Sequence, residues 1–270
     1  MTPSNDSHVV EIFLSCYQAM NDATLIRRVS KSDKEFHFQN WVRDRIAASG
    51  VAHESGGRNS YPDFTLVRFP EGYEVKGLGW PGREANYDSN SRVPTGLHNE
   101  RTIYYVFGRY PSNSSEDEYP VIDLIICHGD FLNANHEYVH ENKSFRGFGS
   151  YGDLLVRDRK MYVAPTPFAL TNGTTGQRTL ILPANAPVDG RLRAVGTLDR
   201  EEADEMVVGY MFNLITNTLT PDMAPNPSAG TKHSFIAYRP TDAPDSPVSM
   251  VGGRELQQAI EESDDADGND

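Results

Sequence analysis

The stretch Pro62-Asp63-Phe64-Thr65-Leu66-Val67-Arg68-Phe69-Pro70-Glu71-Gly72-Tyr73-Glu74-Val75-Lys76 decides how this chain is read. Polar and apolar residues alternate over residues 63–69, Pro70-Glu71-Gly72 has turn composition, and the alternation resumes at Tyr73. Residues 63–76 are therefore expected to form a β-hairpin. Side chains alternate faces along a strand, so Glu74 and Lys76 share one face and Val75 takes the other. Asp63 and Glu74, on adjacent strands, can converge on a single cation, with the Lys76 ammonium beside them. Phosphodiester hydrolysis asks for this combination. Carboxylates hold Mg²⁺, which offsets charge on the attacked phosphate and lowers the pKa of a bound water, and a nearby cation favours the hydroxide form. Val75 would anchor the strand in the core while its carbonyl serves as a further metal ligand.

Upstream, Val9, Val10, Phe13, Leu14, Tyr17 and Met20 recur at helical spacing within residues 7–29. Ser32-Asp33-Lys34-Glu35 has the Ser-x-x-Glu form of a capping box, and the helix it starts carries Phe38, Trp41, Val42 and Ile46 on one face and stops at Gly50. His37 and His53 follow no spacing logic and read as structural or surface residues. Downstream, residues 77–101 are rich in Gly, Asn, Ser and Arg and read as a long polar loop, a feature usually functional or hiding irregular structure. Residues 102–110 and 121–127 are near-continuously apolar, as central strands covered on both faces would be. Residues 153–163 fit helix or strand, and residues 201–219 are expected to be a helix with Met206, Val207, Tyr210, Met211 and Leu214 as its buried stripe. Together these elements predict an α/β (α+β) fold with a central mixed β-sheet flanked by helices. Residues 1–255 are expected to form a single domain. Residues 256–270 are expected to be an acidic, disordered tail.

At Pro62, Asp63, Glu74 and Lys76 the chain resembles the PD-(D/E)xK nuclease superfamily. The resemblance covers roughly residues 32–127 and implies a restriction-endonuclease-like core, in which a helix precedes the hairpin and further strands follow. It implies that Asp63, Glu74 and Lys76 are catalytic and that Asp63, Glu74 and the Val75 carbonyl bind Mg²⁺. The superfamily often adds an acid from the preceding helix, which makes Glu35 an auxiliary candidate beside its capping role. The absence of a Gly-x-x-x-x-Gly-Lys-Ser/Thr element fits a stand-alone Type II restriction enzyme. Such an enzyme acts on double-stranded DNA, commonly as a homodimer, and is accompanied by a cognate DNA methyltransferase.

Within residues 77–101 the candidates for touching DNA are Arg83, Asn86, Asn90, Arg92, His98, Asn99 and Arg101. Arg pairs well with guanine and phosphate, and Asn with adenine. The stretch 143–160 carries Lys143, Arg146, Arg157, Arg159 and Lys160 interleaved with Phe145, Phe148 and Tyr151, a composition suited to tracking phosphates or stacking on bases. The same residues fit an ordinary strand with charged edges.

Three other readings stay open: a structure-specific repair or recombination nuclease of the same fold, a binding protein without activity, and a zinc metalloprotease. The last rests on His136-Glu137-Tyr138-Val139-His140, which on a helix would place two imidazoles one turn apart on Zn²⁺ with Glu137 as general base. No His-x-x-Gly-x-x-His continuation follows it, and no spacing singles out Glu201, Glu202 or Glu205 as a third ligand. Cys16 and Cys127, the only cysteines, exclude a disulfide framework and a thiolate zinc site. With no secretion signal and no apolar run of membrane-spanning length, a cytoplasmic location is expected.

The net charge of −13 argues at first against nucleic acid as a partner. Six of those charges (Glu261, Glu262, Asp264, Asp265, Asp267 and Asp270) sit in the last ten residues, and the rest of the chain carries −7. The acidity therefore reads as a limit on non-specific DNA affinity and leaves the substrate class open.

Overall fold

In the computed structural model, residues 7–29, 34–57, 60–82, 85–90, 93–112, 116–134, 151, 155–156, 161–171, 178–213 and 218–245 are described. The first half of the chain forms α1 (Val9–Asn21), β1 (Ile26–Arg27), α2 (Lys34–Ala48), β2 (His53–Ser55), β3 (Phe64–Leu66), β4 (Glu71–Trp80), β5 (Asn86–Asn90), β6 (Leu97–His98), β7 (Arg101–Pro111), β8 (Glu118–Tyr119) and β9 (Asp123–His128). The second half forms β10 (Leu155–Val156), β11 (Met161–Pro165), α3 (Pro167–Leu170), β12 (Thr179–Pro183), β13 (Leu192–Glu201), β14 (Glu205–Asn213), β15 (Thr218–Pro225) and β16 (Lys232–Pro240).

The central sheet runs β13-β16-β12-β9-β7-β4-β3-β2, with β6 pairing on β7. It is mixed: β4 lies parallel to β7 and β12 parallel to β9, while the other neighbours are antiparallel. As their apolar character requires, β7 and β9 are buried on both faces. On one face, Tyr73, Val75, Tyr104 and Val106 pack against Ile12, Phe13 and Cys16 of α1 and Phe38 and Val42 of α2. On the other, Leu78, Ile103, Tyr105, Phe107, Ile125 and Cys127 meet Tyr87 of β5, Ala164 of β11 and Phe168 of α3.

The two long helices use the apolar positions read from the sequence. Helix α1 is shorter than residues 7–29: Ala23 turns to φ 52°, and the Thr24 N–H bonds back to the Ala19 carbonyl at 2.8 Å. That closes the last turn and frees Ile26–Arg27 to pair with β8. Helix α2 buries Phe38, Trp41, Val42 and Ile46 and ends before Gly50, which adopts φ 81°.

The hairpin at residues 63–76 forms, with Phe64 opposite Tyr73 and Thr65 opposite Gly72, but its turn lies earlier than expected. Glu71 and Gly72 belong to β4. Glu71 is buried, accepting from the His8 N–H (2.9 Å) and the Tyr73 hydroxyl (2.6 Å), and the Pro62 ring lies where a Gly72 side chain would stand. Both contacts hold the two residues extended.

Other expectations are corrected. Residues 201–213 and 218–219 are not helical: β13 ends at Glu201, and β14 and β15 form an antiparallel two-stranded ribbon, while Leu214 of the expected stripe lies outside the described residues. The apolar run there is rich in β-branched and aromatic residues, and the spacing of Met206, Val207, Tyr210 and Met211 suits a strand pair as well as a helix. Within 77–101, β4 continues to Trp80, β5 pairs with β11, and β6 turns back into β7. Asn99 (φ 48°) and Glu100 (φ 61°) make that two-residue turn, with both central residues left-handed as a tight hairpin needs. Among the described residues no helix is long and apolar enough to cross a membrane.

Candidate metal centre

Asp63 stands immediately before β3, held by its backbone carbonyl, which accepts from the Gly56 N–H at 2.8 Å. Its carboxylate is fixed from two sides. Oδ2 accepts from the backbone N–H of Val75 at 2.8 Å, and Oδ1 accepts from Nε2 of Gln39 on α2 at 2.9 Å. Strand β4 supplies Glu74 and Lys76 on one face, and Lys76 Nζ lies 2.8 Å from Glu74 Oε1. Val75 points the other way and is 1% exposed in the core beneath the helices.

Helix α2 brings a third carboxylate: Glu35 Oε1 lies 3.6 Å from Lys76 Nζ. Gly77 makes this approach possible, because a Cβ at that position would sit 3.3 Å from the Glu35 Cα. The side chains of Glu74 and Lys76 are 11% and 13% exposed, whereas that of Glu35 is 51% exposed. The cluster thus has a dry floor and an open rim.

Burial, followed by the neighbouring Glu74 carboxylate, pushes the pKa of Asp63 up to about 7, against the pull of Lys76 and of the Val75 N–H. Burial draws the Lys76 pKa down, but Glu74, Glu35 and Asp63 outweigh it and hold the ammonium above its ordinary value. Lys76 is therefore charged throughout the neutral range.

Glu74 Oε2 is buried with no hydrogen-bond partner, and burying an unpaired anionic oxygen is costly. A divalent cation would satisfy it and offset the Glu74 repulsion that, after burial, raises Asp63, so the donor set of Asp63, Glu74 and the Val75 carbonyl fits Mg²⁺ chemically. Among the described residues no group of three or more His, Cys, Asp or Glu is gathered for a metal. Mg²⁺ needs only one or two carboxylates, completing its shell with waters and substrate phosphates.

The other candidates divide. His98 ends β6, its ring 5.1 Å from that of Tyr61, whose hydroxyl lies 2.7 Å from the Tyr105 hydroxyl. Tyr105 is the cross-strand neighbour of Glu74, so His98 is linked to the site through Tyr61. Asn99 is exposed in the β6–β7 turn. Arg101 donates from Nη1 to the carbonyls of Leu66 (3.0 Å) and Phe69 (2.9 Å), clamping the β3–β4 connection. Asn86 and Asn90 lie at the two ends of β5, opposite Pro165 and Met161.

Arg83, Arg92, the capping residue Ser32, the His136–His140 motif and most of 143–160 lie outside the described residues. Tyr151 is described, and its hydroxyl donates to the Asp130 carbonyl at 2.6 Å. His37 is buried with Nδ1 3.2 Å from the Tyr119 hydroxyl. The sequence reading missed Gln39 and Tyr61. Gln39 stands one helical turn after Glu35, on the same face of α2, which is the signal that marks it.

No family model, curated protein or solved structure matches this chain.

Proposed function

We propose that this chain is a Mg²⁺-dependent, sequence-specific double-stranded DNA endonuclease of the Type II restriction kind, built on a restriction-endonuclease-like core. The observation that carries the reading is the convergence of Asp63, Glu74 and Lys76 beside the Val75 backbone, with one buried carboxylate oxygen unpartnered. The order α2, β3–β4 hairpin, β7 supports the same reading.

When bound, Mg²⁺ supplies the positive charge that offsets the scissile phosphate and acidifies a water. Asp63 and Glu74 would hold it, each kept in place by contacts of its own. Asp63 is oriented by Val75 and Gln39, and Glu74 is tethered to Lys76. Lys76 Nζ, kept protonated between Glu74 and Glu35, is positioned to donate to the attacking water and to stabilise the negative charge that develops on the phosphate. The carboxylates cannot all be anionic at low cost without a cation, which ties substrate hydrolysis to metal loading. A palindromic target would be cut in both strands by a two-fold dimer, and His98, linked to the site through Tyr61, and Asn99 stand on the β6–β7 hairpin.

The test is plasmid cleavage with Mg²⁺ followed by mapping of the ends. Discrete ends are expected, and Lys76→Ala should lower cleavage by about 100-fold or more while leaving DNA binding nearly intact. A smear of ends would replace this reading with a repair nuclease. Activity that survives Lys76→Ala but is lost in His136→Ala would overturn it altogether.

A further inference from the structure

Helix α2 does more at this site than supply an acid. Gln39 is half-buried on the helix face that meets the hairpin, and its Nε2 donates to Asp63 Oδ1 at 2.9 Å. On the opposite side of the same carboxylate the Val75 N–H donates to Oδ2 at 2.8 Å. Two donors on the two oxygens fix the rotation of the carboxylate plane, which a single donor leaves free to swing. One donor is a backbone N–H, which no substitution but proline removes; the other is the side chain of Gln39.

The helix itself is locked in position. The Phe38 ring, adjacent in sequence to Gln39, fills the space that a Cβ on Gly108 of β7 would occupy, and Gly77 of β4 admits the backbone of Glu35. Gln39 therefore presents its amide from a fixed platform. The amide donates one proton to a carboxylate oxygen and leaves that oxygen a second lone pair for a cation.

We infer that Gln39 is a positioning residue of the metal centre: it orients Asp63 for a divalent cation through the Nε2–Oδ1 hydrogen bond. The inference rests on the nuclease reading only for the use of that cation, since metal binding can be measured without DNA. Removing a hydrogen-bond partner of a metal-binding carboxylate typically weakens metal affinity by about 10–100-fold.

Gln39→Met keeps the length of the side chain and removes the N–H. Mn²⁺ binding to the full chain, followed by electron paramagnetic resonance without DNA, should weaken by about 10-fold or more. In cleavage assays the same variant should raise the Mg²⁺ concentration for half-maximal rate, with most of the rate restored at saturating Mg²⁺. The midpoint of a thermal unfolding scan without metal should fall by only about 2–4 °C, the cost of one lost hydrogen bond. Gln39→Leu is the second variant, for use if Gln39→Met does not fold.

Unchanged Mn²⁺ affinity in a folded variant overturns the inference, as does a loss of rate that Mg²⁺ cannot restore. Failure of the nuclease reading looks different: the wild type then binds Mn²⁺ in a Gln39-dependent way and cleaves no DNA. A wild type that binds no Mn²⁺ sinks the positioning role itself.

Discussion

Asp63 is the residue on which the electrostatics of the site turn. Its folded pKa of about 7 stands above its unfolded value near 3.8, because burial and Glu74 disfavour the anion. Between those values the folded chain keeps a proton that the unfolded chain has released, so stability falls as pH rises through this window. Urea unfolding without metal should show this loss between pH 4 and pH 7, approximately, and Asp63→Asn should remove that component. A slope unchanged in Asp63→Asn would assign the proton elsewhere. Because a cation must displace the same proton, Mg²⁺ should stabilise the protein more above neutrality than below it, which thermal scans at two pH values would read. Asp63, Glu74, Val75 and Lys76 were all legible in the sequence, because strand alternation fixes which of them share a face. Gln39 was not, since its partner lies 24 residues away, and its place one helical turn after Glu35 marks a shared face of α2 but not the contact itself.

At the scale of elements, the seam between α2 and the sheet holds the site together. A Cβ on Gly108 would overlap the Phe38 ring, so Gly108→Ala should overpack this seam and cost about 1–3 kcal/mol in urea unfolding. Phe38→Leu in the same chain should recover part of the loss; an additive cost would mean the two residues do not share that space. The same displacement should move Glu35 and Gln39 off the hairpin and weaken metal binding alongside stability. Both long helices were readable from their apolar spacing. The ribbon of β14 and β15 was not, because a short apolar run with paired neighbours fits either period. The early start of β4 has a similar cause: Glu71 looked like a turn residue until the His8 N–H and the Tyr73 hydroxyl enclosed it.

For the molecule as a whole, the proposed function makes the charge distribution the limit on DNA affinity. The chain carries −13, and its last ten residues hold six of those charges. Deleting residues 261–270 should strengthen binding to non-specific DNA at low salt, with the gain shrinking at high salt and Mg²⁺-dependent cleavage preserved. Fluorescence anisotropy across a salt series measures this, and an affinity unchanged at low salt would show that the tail does not oppose DNA.

Local pattern was enough to set the mixed α/β character, the two long helices, the central strands and the grouping of Asp63, Glu74 and Lys76, because each is written in a period of 2.0 or 3.6 or in residue chemistry at short range. The assembled fold alone places β4 parallel to β7, docks the first turns of α2 over Gly77 and Gly108, and brings Glu35 and Gln39 to the hairpin. Those outcomes depend on which distant surfaces pack together, and packing is a property of the assembled core that no local pattern encodes.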